Sequence, residues 1–316
     1  MKTQVVGGSS AVHEAASLLQ KGEVVALPTE TVYGLAAKAL DPAACARIFE
    51  AKERPLSDPL IIHIPDIDWL DRLAKSSTLA KRLAQTFWPG PLTVVVERKD
   101  CVPDLVTAGQ ETVAIRMSAH PLFAKVLNTL GEPVAAPSAN RFGRISPTTA
   151  HHVLEELGGR IPLVLDGGPC AYGIESTIVL VVDDKLQILR PGPVTEEQLS
   201  GFANILKADT AILSPGRLKS HYAPLTPLEV HPSSTLKSWP RSHNKTGLLS
   251  WQHPLPGFQA VEILTASGNA AEAASRLYGA MRALDAAGMD LIVAEEPPDS
   301  GLGAAISDRL RKAAAR

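Results

Sequence analysis

The 316-residue chain has few cysteines, few aromatic residues and almost no net charge, and each shortage removes a class of protein. Cys45, Cys101 and Cys170 are odd in number, far apart and in no Cys-x-x-Cys pair, so neither a disulfide framework nor a zinc site is indicated. A reducing cytoplasm fits them. Aromatic residues make up 4% of the chain, which leaves any core to aliphatic packing. Thirty-one Lys and Arg against 33 Asp and Glu give a net charge of -2, which argues against a protein that coats nucleic acid. A local basic cleft remains compatible with that balance. No run approaches the roughly 20 apolar residues of a spanning helix, and the amino terminus lacks a signal-peptide core. The chain therefore reads as soluble and cytosolic, with no membrane partner.

What is present points to two α/β domains. The chain is 45% hydrophobic and 20% charged, within the globular range, and its length allows a second core. From Glu23 to about Pro193, short aliphatic runs alternate with helical patterns, which implies an α/β domain on a largely buried sheet. The runs at 24–27, 60–64, 92–96, 113–115, 134–136, 163–165 and 178–182 are expected strands. The last meets Asp183-Asp184 and then 186–189, so a hairpin should close the domain and make the sheet mixed. Asp41-Pro42 and Ser146-Pro147 each offer an N-cap followed by proline at the first helical position. Between Pro191 and Pro232 periodicity fades into a linker. A second unit follows, with strands at 247–251, 261–264 and 291–294 and helices at 270–287 and 302–314. Ala273, Leu277, Ala280, Met281 and Leu284 share one face of the first helix, which Gly288 should stop.

Several motifs read as structural. The chain lacks a Gly-x-x-x-x-Gly-Lys-Ser/Thr loop, so ATP, if used, must be held in another way. In Gly301-Leu302-Gly303 the third glycine of a dinucleotide fingerprint is replaced by Ile306, which favours a tight strand-to-helix turn. His151 and Glu155 lie one helical turn apart without further ligands, as on a solvated helix face. The run Pro28 to Gly34 differs, because it follows a buried strand where open sheets place ligands. Lys52-Glu53-Arg54-Pro55 leaves a helix end. Arg116 ends a strand, Pro137-Ser138-Ala139-Asn140 follows another, and Ser176 and Arg190 flank the hairpin. Converging strand ends would gather these cations and short polar donors in one crevice suited to a polyanion.

Taken together, Pro28-Thr29-Glu30-Thr31-Val32-Tyr33-Gly34-Leu35, Lys52-Glu53-Arg54-Pro55, Pro59-Leu60, Trp88-Pro89-Gly90-Pro91-Leu92-Thr93, Pro137-Ser138-Ala139-Asn140 and Arg190-Pro191-Gly192 resemble the threonylcarbamoyl-AMP synthase family with its YrdC-like domain. Ser214-Pro215-Gly216, His221-Tyr222-Ala223-Pro224 and the segment from Gly301 to Arg309 resemble its longer, two-domain form. The resemblance implies a YrdC-like catalytic domain at 1–200, with a twisted, largely mixed open sheet flanked by helices. It further implies a linker at 201–226 covering the active site, and a smaller Rossmann-like α/β domain at 227–316.

The implied activity joins L-threonine, bicarbonate or CO2 and ATP into threonylcarbamoyl-AMP and pyrophosphate. A downstream threonylcarbamoyl transferase then modifies tRNAs that read codons beginning with A. By the same resemblance Thr31, His63, Arg116, Ala136 and Ser176 would hold threonine. Lys52, Arg54, Asp58, Thr112, Ser138, Asn140, Ser146, Arg190 and Tyr222 would face ATP, with Lys52 and Arg54 the catalytic pair. Magnesium would arrive with ATP, without a protein metal cage or a tightly bound organic cofactor.

Two positions depart from the family pattern. Asp58 stands where asparagine is usual; it accepts hydrogen bonds but cannot donate, which suits ribose, the adenine amine or hydrated magnesium rather than phosphate oxygen. Ser118 stands where proline is more frequent and is expected to loosen the strand exit. Two rival readings are an RNA-binding protein that uses the same surface for tRNA without chemistry, and a carbamoyl-adenylate former in metal-centre maturation. Charge balance weighs against the first, and the second lacks its companion segments.

Overall fold

The computed structural model describes residues 2–8, 10–206, 220–239 and 245–315. Ser214-Pro215-Gly216 lies outside the described residues. The chain divides into two compact units. The first comprises Met1–Phe142, Pro147–Ala171 and Glu175–Arg217; the second comprises Gly143–Ser146, Tyr172–Ile174 and Leu218–Arg316. Ser146 thus falls in the second unit although it lies early in the chain. Among the described residues no helix is long and apolar enough to cross a membrane.

The first unit is organised on an eleven-stranded mixed sheet. In chain order its strands are β1 (Gln4–Gly7), β2 (Val25–Leu27), β3 (Gly34–Lys38), β4 (Ile61–His63), β5 (Ala74–Lys75) and β6 (Leu92–Arg98). They continue with β7 (Thr112–Arg116), β8 (Val134–Ala135), β9 (Leu163–Asp166), β10 (Thr177–Val182) and β11 (Lys185–Arg190). Their spatial order is β1-β9-β2-β3-β8-β4-β7-β6-β10-β11, with β5 beside β6. The β-branched runs of β6 and β10 are buried along most of their length, as strands covered on both faces must be. Apolar clusters among the described residues of this unit include one around Tyr33, Ile48, Phe49, Ile62, Leu83 and Val94, one around Leu19, Leu27, Phe123, Val126 and Leu165, and a smaller one of Ile61, Val95, Ala114, Ile178, Leu180 and Leu189.

The expected hairpin is present: β10 and β11 pair antiparallel, and Asp183 takes the left-handed φ of 55° that such a two-residue turn needs. Helix Pro42–Lys52 begins as its sequence announces, with Asp41 Oδ1 accepting from the Ala43 and Ala44 amides at 2.9 and 3.2 Å. It ends in a Schellman turn. Glu53 sits at φ 55°, its N–H donates to Glu50 and that of Arg54 donates to Phe49. This turn fixes where Lys52 and Arg54 leave the helix.

The second helix start differs from the sequence expectation. Helix Ala150–Leu157 is capped by Thr149, whose hydroxyl accepts from the His152 amide at 3.2 Å, and not by Ser146. The Pro147 and Thr148 carbonyls accept from Tyr33 and Cys170 instead of from the next helical turn, so the helix cannot start earlier. Strands β1, β3 and β5 were not expected from the sequence either. β3, read as Gly-Leu-Ala-Ala-Lys, has poor strand propensity and is strand because β2 and β8 both pair with it.

The second unit holds a four-stranded parallel sheet, β12 (Leu228–His231), β13 (Thr246–Ser250), β14 (Ala260–Ile263) and β15 (Leu291–Glu295), in the order β12-β15-β13-β14. β12 arises within the stretch that lacks periodicity. Helix Ala270–Ala286 is capped by Asn269 and buries the expected face, and Gly288 follows its end at φ 67°. Gly301 has φ 51°, and a Cβ on Gly303 would lie 2.0 Å from the Pro298 carbonyl oxygen, so both glycines serve the turn into helix Leu302–Ala314.

Two glycine substitutions should have opposite signs. A Cβ on Gly192 would lie 2.5 Å from the Thr177 amide nitrogen and 2.7 Å from the Glu175 carbonyl oxygen, whereas one on Gly279, inside a helix, meets nothing within 4 Å. Gly192→Ala should lower stability by about 1–3 kcal/mol, and Gly279→Ala should raise it by up to about 1 kcal/mol. Urea midpoints at constant m-value check both; a neutral Gly192→Ala would show that the β11 exit can give way.

Candidate active site

The loop from Pro28 to Tyr33 joins β2 to β3, whose register pairs Leu27 with Gly34. Its hydroxyls stabilise it from inside. Thr29 Oγ1 accepts from the Thr31 and Val32 amides at 3.1 and 3.2 Å and donates to the Val32 carbonyl at 2.6 Å. A hydroxyl has one proton, so in the 2.8 Å contact between the two threonines Thr31 donates to Thr29. The Thr31 oxygen in turn accepts from Arg116 Nη1 at 2.9 Å. Backbone bonds from Leu35 to Pro137 and from Ala139 to Tyr33 tie the loop to the Pro137–Asn140 segment.

Sheet register aligns the polar side chains. His63 on β4 is opposite Arg116 on β7, Arg116 is opposite Thr93 on β6, Thr93 is opposite Ile178 on β10, and Ile178 is opposite Arg190 on β11. Residues opposite one another share a sheet face, so this row carries His63, Arg116, Thr93 and Arg190 side by side. Ser176 links its far part. Its Oγ is 2.7 Å from Thr93 Oγ1 and accepts from Arg190 Nη2 at 3.1 Å, while its carbonyl accepts from Arg190 Nε and Nη2 at 3.1 and 2.9 Å.

Arg116 is 3% exposed and ion-paired at 2.7 Å with Glu30, whose other oxygen accepts from Ser118 Oγ at 2.5 Å. Burial pushes the Glu30 carboxyl up, but the Arg116 charge and the bonds from Ser118 and Arg116 outweigh it and hold it at about 2. Ser118 also accepts from the His120 amide, so it pins the strand exit and does not loosen it. His63 is buried against Phe123, with ring centroids 4.9 Å apart. Burial, helped by the Arg116 charge, lowers it to about 3, so the imidazole is neutral at physiological pH. Among the described residues, Arg116 Nε and His63 Nδ1 have no hydrogen-bond partner.

A second group gathers at the helix end. Lys52 Nζ donates to the carbonyls of Ser138 and Asn140, and the Phe142 amide donates back to Lys52. Burial, then the Arg54 charge, pulls the Lys52 pKa well below its usual value against the opposing fields of Asp58 and Glu156. Arg54 pairs with Asp58 at 2.9 Å and donates to the carbonyls of Asp58 and Pro59. Burial raises the Asp58 pKa, while Arg54, Lys52 and Arg190 oppose the rise.

The threonine and nucleotide assignments separate only in part, because Arg190 of the nucleotide set is bonded to Ser176 of the threonine set. Thr31, His63, Arg116, Ser176 and Arg190 belong to one connected row, and Lys52, Arg54, Asp58, Ser138 and Asn140 to the other group. Ala136, whose amide donates to Ile61, is buried beside β4. Thr112 opens β7, four residues before Arg116 and about 13 Å along the strand, at the end of the sheet where Asp58 leads into β4. In the second unit Ser146 is fully buried, and Tyr222 is buried at φ 62° between His221, Tyr278 and Arg309. Glu30, Ser118 and Thr93 were missed as contributors. A carboxylate next to Thr31 in the quoted motif, and a lone polar residue in the apolar run of β6, were the available signals.

The whole chain has counterparts. The family described as "Telomere recombination" matches residues 17–192, and "Threonylcarbamoyl-AMP synthase, C-terminal domain" matches residues 193–315. Threonylcarbamoyl-AMP synthase of Bacillus subtilis is 41% identical over 96% of this chain and 92% of its own. That of Pyrococcus abyssi is 38% identical over 95% and 92%. The crystal structure of Pyrococcus abyssi Sua5 complexed with L-threonine superimposes with a TM-score of 0.89 at 37% identity, covering 99% of this chain and 98% of that one. These matches, with the mixed sheet and its buried cations, define an ATP-using enzyme of the nucleotidyltransferase type. The chain belongs to the threonylcarbamoyl-AMP synthase family.

The Glu30 shift carries a pH consequence. Its folded pKa of about 2 lies below the ordinary 4.5, so the stability it contributes is full above about pH 4.5 and is lost as pH falls toward 2. That contribution is on the order of 3 kcal/mol. Glu30→Gln should flatten the acid limb of stability measured by urea unfolding between pH 5 and pH 3. An unchanged limb would mean that other carboxylates govern it.

Proposed function

We propose that this chain converts L-threonine, bicarbonate or CO2 and ATP into threonylcarbamoyl-AMP and pyrophosphate. The observation that best supports this is the sorting of charge along β4. A neutral His63 and an Arg116–Glu30 pair lie at its carboxyl end, and Arg54 and Asp58 sit just before its amino end. The five steps along the chain from Asp58 to His63 span at most about 17 Å, a length that an amino acid and a nucleotide together can bridge.

In this reading the threonine carboxylate pairs with Arg116 Nε, and Thr31, His63 and Ser176 hold its other polar groups beside Ala136. The threonine nitrogen forms a bond to the carbon of CO2 and loses a proton, which gives a carbamate. A carbamate oxygen then attacks the α-phosphorus of ATP, the bond to the β-phosphate oxygen breaks, and pyrophosphate leaves. Two anions must meet, so fixed positive charge contributes more than a strong base. Lys52 suits that task, because a phosphate at its Nζ would favour the charged form that burial disfavours. Arg54 and Arg190 add donors, and Thr112, Ser138 and Asn140 add further nucleotide contacts within the first unit.

No group of three or more His, Cys, Asp or Glu fit to hold a metal occurs among the described residues. Magnesium would come with ATP and shield triphosphate charge, and the Asp58 carboxylate is an oxygen ligand of the kind it takes. No tightly bound organic cofactor enters the scheme. A threonylcarbamoyl transferase would consume the product to modify tRNAs that read codons beginning with A, a role that suits a cytoplasmic protein.

Pyrophosphate release from ATP and bicarbonate should depend on L-threonine. Release that is independent of threonine would overturn the reading. Salt-sensitive tRNA affinity with no release at all would favour an RNA-binding protein instead. Asp58→Asn should weaken ATP binding several-fold, because Arg54 loses the charged partner that orients it, and should leave the KM for threonine unchanged. ATP titration calorimetry together with initial rates separates the two effects.

A further inference from the structure

Assigning Arg116 to the substrate carboxylate leaves unexplained how a guanidinium already facing a carboxylate can accept a second one. The geometry supplies the answer. Nη2 is committed to Glu30 at 2.7 Å and Nη1 to Thr31 at 2.9 Å, which leaves Nε, buried and without a hydrogen-bond partner among the described residues. Glu30 is itself not free to turn, since Ser118 donates to its second oxygen and the loop that carries it is bonded through Thr29. The chain of contacts therefore runs from Ser118 through Glu30 to Arg116, entirely within residues that are 3 to 7% exposed.

We propose that Glu30 is a positioning residue for threonine binding: it fixes the Arg116 guanidinium in the one orientation that presents Nε to the substrate carboxylate, and the Ser118 hydroxyl holds Glu30 in place. The ion pair also sets the local charge to zero, so these surroundings match a zwitterionic amino acid better than a free anion. A carboxylate that merely stapled the loop would affect stability and would leave the two substrates undistinguished.

This inference rests on the reading of Arg116 as the threonine carboxylate partner, and the test separates the two. Pyrophosphate release is measured in the full chain against varied L-threonine at saturating ATP and against varied ATP at saturating L-threonine. Glu30→Gln should raise the KM for threonine by about tenfold to a hundredfold, the scale of losing a charge-assisted hydrogen bond, with the KM for ATP and kcat within about threefold of the native values. Ser118→Ala should shift the threonine KM in the same direction by about two- to tenfold, and Ser118→Thr, which keeps the hydroxyl, should restore it. Equal rises in both KM values, or a threonine KM in Glu30→Gln close to native, would overturn the inference. Should Glu30→Gln fail to fold, the serine pair decides: a native threonine KM in Ser118→Ala overturns it. Native protein whose release ignores threonine would instead defeat the reading of Arg116.

Discussion

The cost of burying positive charge governs this structure. Lys52, Arg54, Arg116 and Arg190 are each at most 7% exposed, and a charge taken out of water costs several kcal/mol unless something replaces the solvent. The replacements are unequal. Arg116 receives a full carboxylate from Glu30, Arg54 shares Asp58 with two carbonyls, and Arg190 donates to the carbonyl and hydroxyl of Ser176. Lys52 receives the dipoles of the Ser138 and Asn140 carbonyls. Dipoles offset desolvation less completely than an opposite charge does, which accounts for the direction of the Lys52 shift. The least compensated cation is the one best placed to gain from an arriving anion.

Backbone geometry makes those compensations available. The Schellman turn at Glu53 brings Lys52 and Arg54 out of one helix end, and the loop from Pro137 to Phe142 meets it with carbonyls and an amide. The β2–β3 hairpin carries Glu30 and Thr31 to Arg116, three strands away across β8, β4 and β7 in the sheet order from β3. Gly192 lets the exit of β11 approach the backbone of Glu175 to Thr177, closer than any Cβ allows, so that Arg190 can reach Ser176. Local backbone choices and the electrostatics thus depend on each other.

Much of this was legible in the residues. Aliphatic runs located β4, β6, β7, β9, β10 and β11 within a residue or two, because a strand buried on both faces needs continuous apolar sequence. Asp41-Pro42 announced its helix, because a cap is a local interaction. β3 was not legible, since its alanines become strand only through pairing with β2 and β8. Nor was the true cap at Thr149, which depends on where the Pro147 and Thr148 carbonyls are drawn by distant amides. The cations of the site could be picked out by type. Glu30, Ser118 and Thr93 could not be assigned partners, because their roles exist only once register puts β6 and the loop beside β7.

In the proposed reaction, charge differs between the two ends where the substrates would lie. Around Arg116 the sum is zero, with Glu30 ionised and His63 neutral. Around Lys52, the cations Lys52 and Arg54 face the carboxylates of Asp58 and Glu156, and Arg190, from the far part of the row, adds its field at Asp58. A zwitterion loses less solvation in the first environment, and a polyanion gains more in the second. Uniformly cationic walls would attract ATP to both places and leave threonine without a preferred end. In the proposed reaction, the buried carboxylate at Glu30 therefore contributes by what it subtracts, keeping one end of the row neutral so that the two substrates enter in the orientation that lets a carbamate face an α-phosphorus.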